Sequence, residues 1–378
     1  MRNGWVETSL GEITEVVGGG TPSTKIGEYW DGDIVWLTPT EITSQDGKVV
    51  SDSIRKITDL GFKNSGAQML PINSVILTSR ASVGFVALSG KELCTNQGFQ
   101  SLIPKPSVLS KFIMFWIQQN RSEFESRSAG STFKEISKSN VKSIKILLPP
   151  LPEQKRIVDL ISSVDAYVEA LQQQLESAKR SRNAVLHKLL TEGGDDWVET
   201  TLDRVTECSW GNTETTKSKY VESGFLAYSA SGADGFLDWF EHDRTAVVLS
   251  AIGAQCGKTW FAEGKWTSIK NTIWLKSDNS NLLDKYLYYL SNTDQFWQIR
   301  GQAQPFISLG DVKKTRVLLP PLRDQERIVE VISEMDAFIE SIQRTSMEAK
   351  NLRSGLLSDL LSGSHEIPTT YDKVMGAA

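Results

Sequence analysis

Residues 147–171 read LLPPLPEQKRIVDLISSVDAYVEAL, and residues 318–342 read LLPPLRDQERIVEVISEMDAFIESI. The offset is 171 throughout: Pro149 matches Pro320, Ile157 matches Ile328, Asp165 matches Asp336, and Leu189 matches Leu360. The only two Pro-Pro pairs of the chain open these two copies. A gapless match of this length is an internal duplication. In the first copy Ile157, Ile161, Val164, Val168 and Leu171 follow one another in alternating steps of four and three, continuing to Leu189. The second copy repeats the spacing at Ile328, Ile332, Met335, Ile339 and Ile342, continuing to Leu360. A mean spacing of about 3.5 residues keeps one narrow apolar seam facing a partner, which predicts two coiled-coil helices. The prolines suit helix starts, and Gly193, Gly194 and Gly363 suit the exits. A helix of about 38 residues is roughly 55 Å long.

Each seam is interrupted by an arginine at an equal place, Arg182 and Arg353. In an antiparallel pair centred near Gln173 and Arg344, Arg182 lies opposite Asp336 and Arg353 opposite Asp165. Two symmetric ion pairs that fix the register are expected, the alternative being that each guanidinium reaches solvent. Ser346 also breaks the second seam, with Met347 beside it expected to compensate. Val158, Leu160, Tyr167 and Leu186, like Val329, Val331, Phe338 and Leu357, widen the stripe near the helix ends, where packing on globules or partners is expected.

The chain outside the helices is globular. At 378 residues it exceeds one ordinary core, and all eleven Trp lie outside the two helices. Trp5-Val6-Glu7-Thr8 returns as Trp197-Val198-Glu199-Thr200, at an offset of 192, so the first globule is 21 residues the longer. The expected order is a globule at 1–148, a helix at 149–194, a second globule at 195–319, a second helix at 320–363 and a polar tail at 364–378. Strands are expected at 34–37, 74–77, 85–88 and 141–148, and a helix at 109–118. The second globule repeats the plan, with 247–249 matching 75–77, Asn271 matching Asn96, a helix at 282–290 and a last strand at 312–319. The fold class is α+β: two similar globules separated by two long antiparallel coiled-coil helices, related by a pseudo-twofold axis.

Composition narrows the function. No apolar run is long enough to span a bilayer and no leader precedes the first globule, so a cytoplasmic location is expected. Cys94, Cys208 and Cys256 are odd in number and widely spaced, which argues against a disulfide framework. The formal net charge is −5. Gly253-Ala-Gln-Cys-Gly257-Lys258-Thr259 falls one residue short of a phosphate-binding loop and reads better as a tight turn. His187, His242 and His365 stand alone, without ligands at zinc spacing. No Gly-x-Ser-x-Gly elbow occurs. The Pro-Pro pairs lack the flanking residues of an amino-methyltransferase signature. No catalytic, cofactor or metal site is expected.

Binding residues are more promising. Thr21, Ser23, Lys25, Trp36, Ser79, Arg80, Asn96 and Gln97 lie in loop-rich stretches of the first globule. The second globule offers Asn212, Lys217, Lys219, Tyr220, Ser231, Lys258, Lys270 and Asn271 at comparable places. Such side chains can hold phosphates or read base edges. Any one of them is ordinary loop surface; as two sets on a rigid spacer they suit nucleic acid.

The doubled Leu-Pro-Pro-Leu-x-[Glu/Asp]-Gln-x-x-Ile motif, at 148–157 and 319–328, resembles the specificity subunit of type I restriction–modification enzymes. Gly19-Gly20-Thr21-Pro22-Ser23, Thr95-Asn96-Gln97-Gly98 and the order of segments support it over nearly the whole chain, to about Gly363. The second globule departs from it, with Asn212-Thr213-Glu214 where Thr-Pro-Ser would stand. The resemblance implies two target-recognition domains that read the halves of a bipartite DNA site, and a helical spacer that docks two modification subunits. Restriction subunits would join them. S-adenosylmethionine, ATP and Mg would belong to those partners, with none bound here. Helix length would then set the gap between half-sites. The competing reading is a coiled-coil adaptor with two protein-binding globules and no role on DNA.

Overall fold

Each Pro-Pro pair hands the chain to a long helix, Leu151–Thr191 of 41 residues and Leu322–Leu361 of 40. The computed structural model describes residues 4–130, 134–278, 281–293 and 295–371. Residues 372–378 of the expected polar tail lie outside these. Two compact units divide the chain: residues 1–170 with 346–378, and residues 171–345. Each unit is a globule, the first half of the helix that follows it and the last half of the other helix.

Within the first unit, Ile157, Val158 and Ile161 share one core with Leu357, Leu360 and Leu361. Within the second, Leu186 shares a core with Ile328 and Ile332, joined by partly buried Val185, Leu189, Leu190, Val329 and Met335. Pairing of Asp165 with Arg353 in one unit, and of Arg182 with Asp336 in the other, continues each core in the antiparallel sense. Of the seam, Ile157, Ile161, Val168, Leu171, Ile328, Ile332 and Ile342 are buried, while Val164, Met335 and Ile339 are half-buried. Ser346 is itself buried and Met347 is 65% exposed, so the methionine does not fill in for it. The small Ser346 keeps the seam position.

The helix starts are pinned by one residue type. Gln154 and Gln325 are both fully buried. Gln154 accepts from the Leu109 amide (2.9 Å) and donates to the carbonyls of Ser107 (3.1 Å) and Pro149 (2.8 Å). Gln325 accepts from Leu283 (2.9 Å) and donates to Asn281 (2.7 Å) and Pro320 (2.9 Å). One amide thus ties the Pro-Pro carbonyl to the loop that precedes helix Ser110–Gln119 or Asp284–Ser291. The neighbouring acid adds a second tie: Trp5 donates to Glu153 (3.0 Å) and Trp197 to Asp324 (3.3 Å). The repeated Trp and the repeated Glu/Asp-Gln therefore describe one joint made twice.

Each globule pairs its first and last strands (Val6–Ser9 with Lys145–Leu148, Val198–Thr201 with Arg316–Leu319) and layers two larger sheets beside those short helices. In the first unit the strand order is Thr14–Gly18, Gln100–Pro104, Val75–Leu77, Val86–Ser89, Val49–Val50. Its smaller sheet runs Lys56–Ile57, Trp30–Leu37, Cys94–Thr95. The second unit matches with Thr206–Trp210, Thr272–Ser277, Ala246–Ser250, Thr259–Ala262, and with Gly232–Leu237, Phe225–Ser229, Lys265–Ser268, His242–Asp243. In both globules the second of these sheets contains one parallel pair, Trp36 with Cys94 and Ala227 with Thr267.

Two expected strands are shorter than the pattern suggested. Residues 141–148 form helix Lys138–Ser143 and then strand Lys145–Leu148; residues 312–319 form the end of helix Leu309–Lys314 and then strand Arg316–Leu319. Ser137 and Ser308 cap these helices, each hydroxyl accepting an amide three residues on at 3.1 Å. Val141 and Val312 are buried on helix faces, which an alternating pattern had disguised as strand.

Candidate functional site

In the first unit the expected binding residues gather around strand Trp30–Leu37. Trp36 is 4% exposed, so it is a fastener and not a surface contact. Its indole donates to the Gly20 carbonyl (2.9 Å) and its backbone amide donates to Ser53 Oγ (3.1 Å). The next carbonyl, Leu37, accepts from the Asn96 amide (3.0 Å). Two adjacent residues thereby hold three loops, those at 19–26, 51–56 and 95–98. Gly20 closes the arrangement by donating to the Thr95 carbonyl (2.9 Å).

What these loops offer to solvent is polar and basic. Thr21 donates to Gln97, and both are exposed, as are Ser23 and Lys25. Asn96 uses its side-chain oxygen on the Gly98 amide (2.8 Å), which shapes the turn. Trp30 donates to the Ser23 carbonyl (3.1 Å) and packs edge-on to Trp36 at 5.1 Å. Arg55 lies over Trp30 at 3.7 Å, with its neighbour Ile54 88% exposed. Arg55 was missed from the sequence because nothing in its neighbourhood announces a cation on an indole 25 residues away. Ser79 is fully buried and is not a surface contact; its amide and carbonyl join Gly98 and Ile136. Arg80 is half-buried beside the same turn.

The second unit rebuilds the frame with other residues. Backbone bonds from Asn212 to Ser268 (2.8 Å) and from Ile269 to Tyr228 (2.9 Å) occupy the places of Gly20 to Thr95 and Asn96 to Leu37. Asn212 therefore stands at the position of Gly20, and Thr213 at that of Thr21. Likewise the amide of Ala251 meets the Asn271 carbonyl as that of Ser79 meets Gly98. Asn271 thus corresponds to Gly98 rather than to Asn96, a correction of two residues. Its φ of 72° suits a turn residue.

Around this frame lies a denser polar network. Asp234 accepts from Lys217 (2.5 Å), Ser229 (2.8 Å) and Tyr220 (2.9 Å). Partial burial works against the Asp234 carboxylate, but those three donors hold it below the ordinary aspartate range. Burial, and the bond to Asp234, push the Tyr220 hydroxyl well up. Asn212 donates to Glu241 (2.7 Å). Lys219, Ser231, Lys258 and Lys270 are exposed. Lys217 and Tyr220 are thus oriented by a carboxylate, whereas the other lysines extend freely to solvent.

The turn at 253–257 joins strands Ala246–Ser250 and Thr259–Ala262, with Gly253 and Gly257 at positive φ. Its counterpart, ending at Gly84, joins Val75–Leu77 to Val86–Ser89. It is a hairpin turn, and no helix follows to cradle a phosphate. Burial pushes the Cys94 thiol up to about 12, far from a nucleophile. His187 is exposed, and His242 is buried between Trp266 (4.3 Å) and Trp274 (4.9 Å). Among the described residues no cluster of His, Cys, Asp and Glu has the form of a metal site, and no helix is long and apolar enough to cross a membrane.

Comparison with known proteins agrees with this layout. The family described as type I restriction modification DNA specificity domain matches residues 2–180 and 194–351, one block for each globule and its helix. The MjaIX type I restriction enzyme specificity subunit of Methanocaldococcus jannaschii is 24% identical, over 95% of this chain and 93% of its own length. The EcoprrI specificity subunit of Escherichia coli is 23% identical over 89% of both. Among solved structures, the type I restriction–modification S subunit from M. genitalium superposes with a TM-score of 0.60 at 17% identity, covering 96% of this chain and 97% of that one.

Proposed function

From the premise that this chain belongs to the type I restriction–modification DNA specificity family, we infer that it is the subunit that reads a bipartite DNA target for its complex. One observation carries the reading. Two globules share a backbone frame of three matching hydrogen bonds and one parallel strand pair, yet offer different side chains from it. That is the design of a reader whose two half-sites differ in sequence. The subunit is not itself a catalyst.

The partners are double-stranded DNA and the other subunits of the complex. We assign two modification subunits to the duplicated helices, one to each repeat. Tyr167 and Phe338 stand at equal places in the repeats and are 52% and 51% exposed. Half-exposed aromatics on otherwise polar helix faces suit anchors for a partner. Restriction subunits complete the assembly. S-adenosylmethionine, ATP and Mg would serve those partners, and this chain would take none. DNA in the cytoplasm is then its place of work.

A net charge of −5 leaves the isolated chain a weak DNA binder. Gel-shift titration is expected to show tight, salt-sensitive, sequence-specific binding only after modification subunits are added. Equally tight specific binding by the chain alone would overturn the shared-contact reading. Methylome sequencing with and without the gene gives the target directly; no bipartite motif in the difference would overturn the function itself. Tyr167→Ala or Phe338→Ala is expected to weaken modification-subunit binding by about tenfold.

A further inference from the structure

The two seam arginines do more than pair with their aspartates. In the first unit Arg353 donates through Nε and Nη2 to the Asp165 carboxylate, and Nη2 also reaches Gln118 Oε1 at 3.3 Å. Its guanidinium carbon lies 5.6 Å from the ring centre of Phe115. In the second unit Arg182 donates to both Asp336 oxygens, at 2.9 and 3.3 Å, and lies 5.4 Å from the Tyr289 ring. Phe115 and Tyr289 are 2% and 1% exposed. Tyr289 is held in turn by Ser333 at 3.0 Å.

Phe115 and Gln118 belong to helix Ser110–Gln119, and Tyr289 to helix Asp284–Ser291. These are the helices whose leading loops are pinned by Gln154 and Gln325. They pack on the strands Val75–Leu77 and Val86–Ser89, or Ala246–Ser250 and Thr259–Ala262. Among the ties between each short helix and its helical support, which include Lys111 to Ser162 (3.4 Å) and Tyr289 to Ser333 (3.0 Å), two recur in both globules and lie towards opposite ends of the short helix. The first is a glutamine from the helix that follows the globule. The second is an arginine from the helix of the other repeat. Two points on a rod define an angle, which one point cannot.

We propose that Arg353 and Arg182 are positioning residues for target reading, with crossed assignment: Arg353 sets the presentation of the first globule, and Arg182 that of the second. The proposal rests on the DNA-reading function inferred above. Arginine is required because its planar fork can engage a carboxylate edge-on while its face covers a ring. Lysine keeps the charge and loses that double geometry. Asp165 and Asp336 are 38% and 35% exposed, so the ion pairs themselves stabilise little. Substitution should therefore alter the angle of a globule more than its folding.

The test uses the complete methyltransferase complex carrying Arg353→Lys or Arg182→Lys. The half-site read by each globule is assigned first by replacing residues 1–148. Discrimination is then measured as the affinity ratio between the target and duplexes with one base changed in either half. Arg353→Lys is expected to lower discrimination in the first globule's half about tenfold and leave the other half unchanged, and Arg182→Lys the reverse. Equal loss in both halves, or none in either, overturns the clamp. Phe115→Leu removes the ring without touching charge and is expected to copy Arg353→Lys. If Arg353→Lys fails to assemble, a Phe115→Leu complex with unaltered discrimination overturns the proposal by itself. Absence of any bipartite target for the unaltered complex would instead refute the functional reading.

Discussion

At the site where three loops meet, the first globule places Trp36 and the second places Ala227, with the same parallel strand beside each. Trp36 reaches across with its indole to hold the Gly20 loop. Ala227 reaches nothing, and the second globule holds its loops through the Asp234 cluster and the Asn212–Glu241 bond instead. Backbone hydrogen bonds do not depend on side-chain identity, so the frame survives duplication and divergence. Side-chain fasteners do depend on it, so they were reinvented. A reader that must change its target while keeping its partners needs this division. The largest test of the contrast exchanges contents and leaves frames intact. Replacing residues 1–148 with the matching globule of a relative is expected to change one half-site completely and the other not at all, as read by methylome sequencing. A change in both halves would mean that the globules are not independent readers.

The joints, by contrast, should be interchangeable in their energetics. Gln154→Leu leaves the Pro149 carbonyl without its partner in a buried place and the Leu109 amide without its partner in a half-buried one, while the Ser107 carbonyl belongs to an exposed residue. Each unsatisfied buried group costs about 1–3 kcal/mol, so a loss of about 3 kcal/mol is expected in the first unit. Gln325→Leu is expected to cost the second unit the same. Hydrogen exchange in strand Val75–Leu77 against strand Ala246–Ser250 reports the two units separately. Unequal costs would show that the joint is not one device made twice.

The duplicated joint also marks what the sequence could disclose. Long helices, their starts, the seam and the Arg–Asp register were legible because they repeat with fixed period and constant offset. The short helices before the last strand of each globule were not, since Val141 and Val312 fit strand and helix patterns equally over so few residues. The contact loops were legible as regions and not as residues. Trp36 looked like an aromatic contact, but its indole has a buried carbonyl to satisfy, and only the fold shows which one. Arg55 and Asp234 act through partners distant in sequence, and no local pattern carries that information. Gln154 belongs to a motif, but two of its three bonds depend on a loop more than 40 residues upstream.

A smaller effect separates the globules at a single equivalent position. A Cβ added to Gly20 would lie 2.2 Å from the Gly66 carbonyl carbon and 2.4 Å from the Ala67 nitrogen. Both are backbone atoms and cannot turn aside. Gly20→Ala is therefore expected to destabilise the first unit by about 1–3 kcal/mol, the usual cost of overpacking. Asn212 holds the same place in the second unit with room for a side chain that reaches Glu241. Asn212→Ala loses that bond and the one its side-chain oxygen accepts from the Glu214 amide (3.0 Å); both are exposed, and about 1 kcal/mol is expected. Chemical denaturation of both variants decides it, and equal losses would contradict the equivalence drawn from the backbone bonds.

The last and smallest difference is a response to acid. His242 lies in the second unit between Trp266 and Trp274, with both ring nitrogens lacking partners among the described residues. Burial, then the nearby positive charge of Arg244, lowers its pKa from the ordinary value of 6.5, although Glu241 and Glu207 act in the opposite direction. The folded state thus prefers the neutral ring more strongly than the unfolded state does. Stability from this group is fully present above the unfolded pKa of about 6.5 and is lost as pH falls below it. A single proton limits the slope to about 1.4 kcal/mol per pH unit. Between pH 7 and pH 5.5 the second unit should therefore lose protection against hydrogen exchange along Ala246–Ser250 by more than the first unit loses along Val75–Leu77. His242→Phe keeps a flat ring between the tryptophans and removes the titration, so it should flatten the acid response of the second unit. An unchanged response in that variant would place the origin of any acid sensitivity in another group.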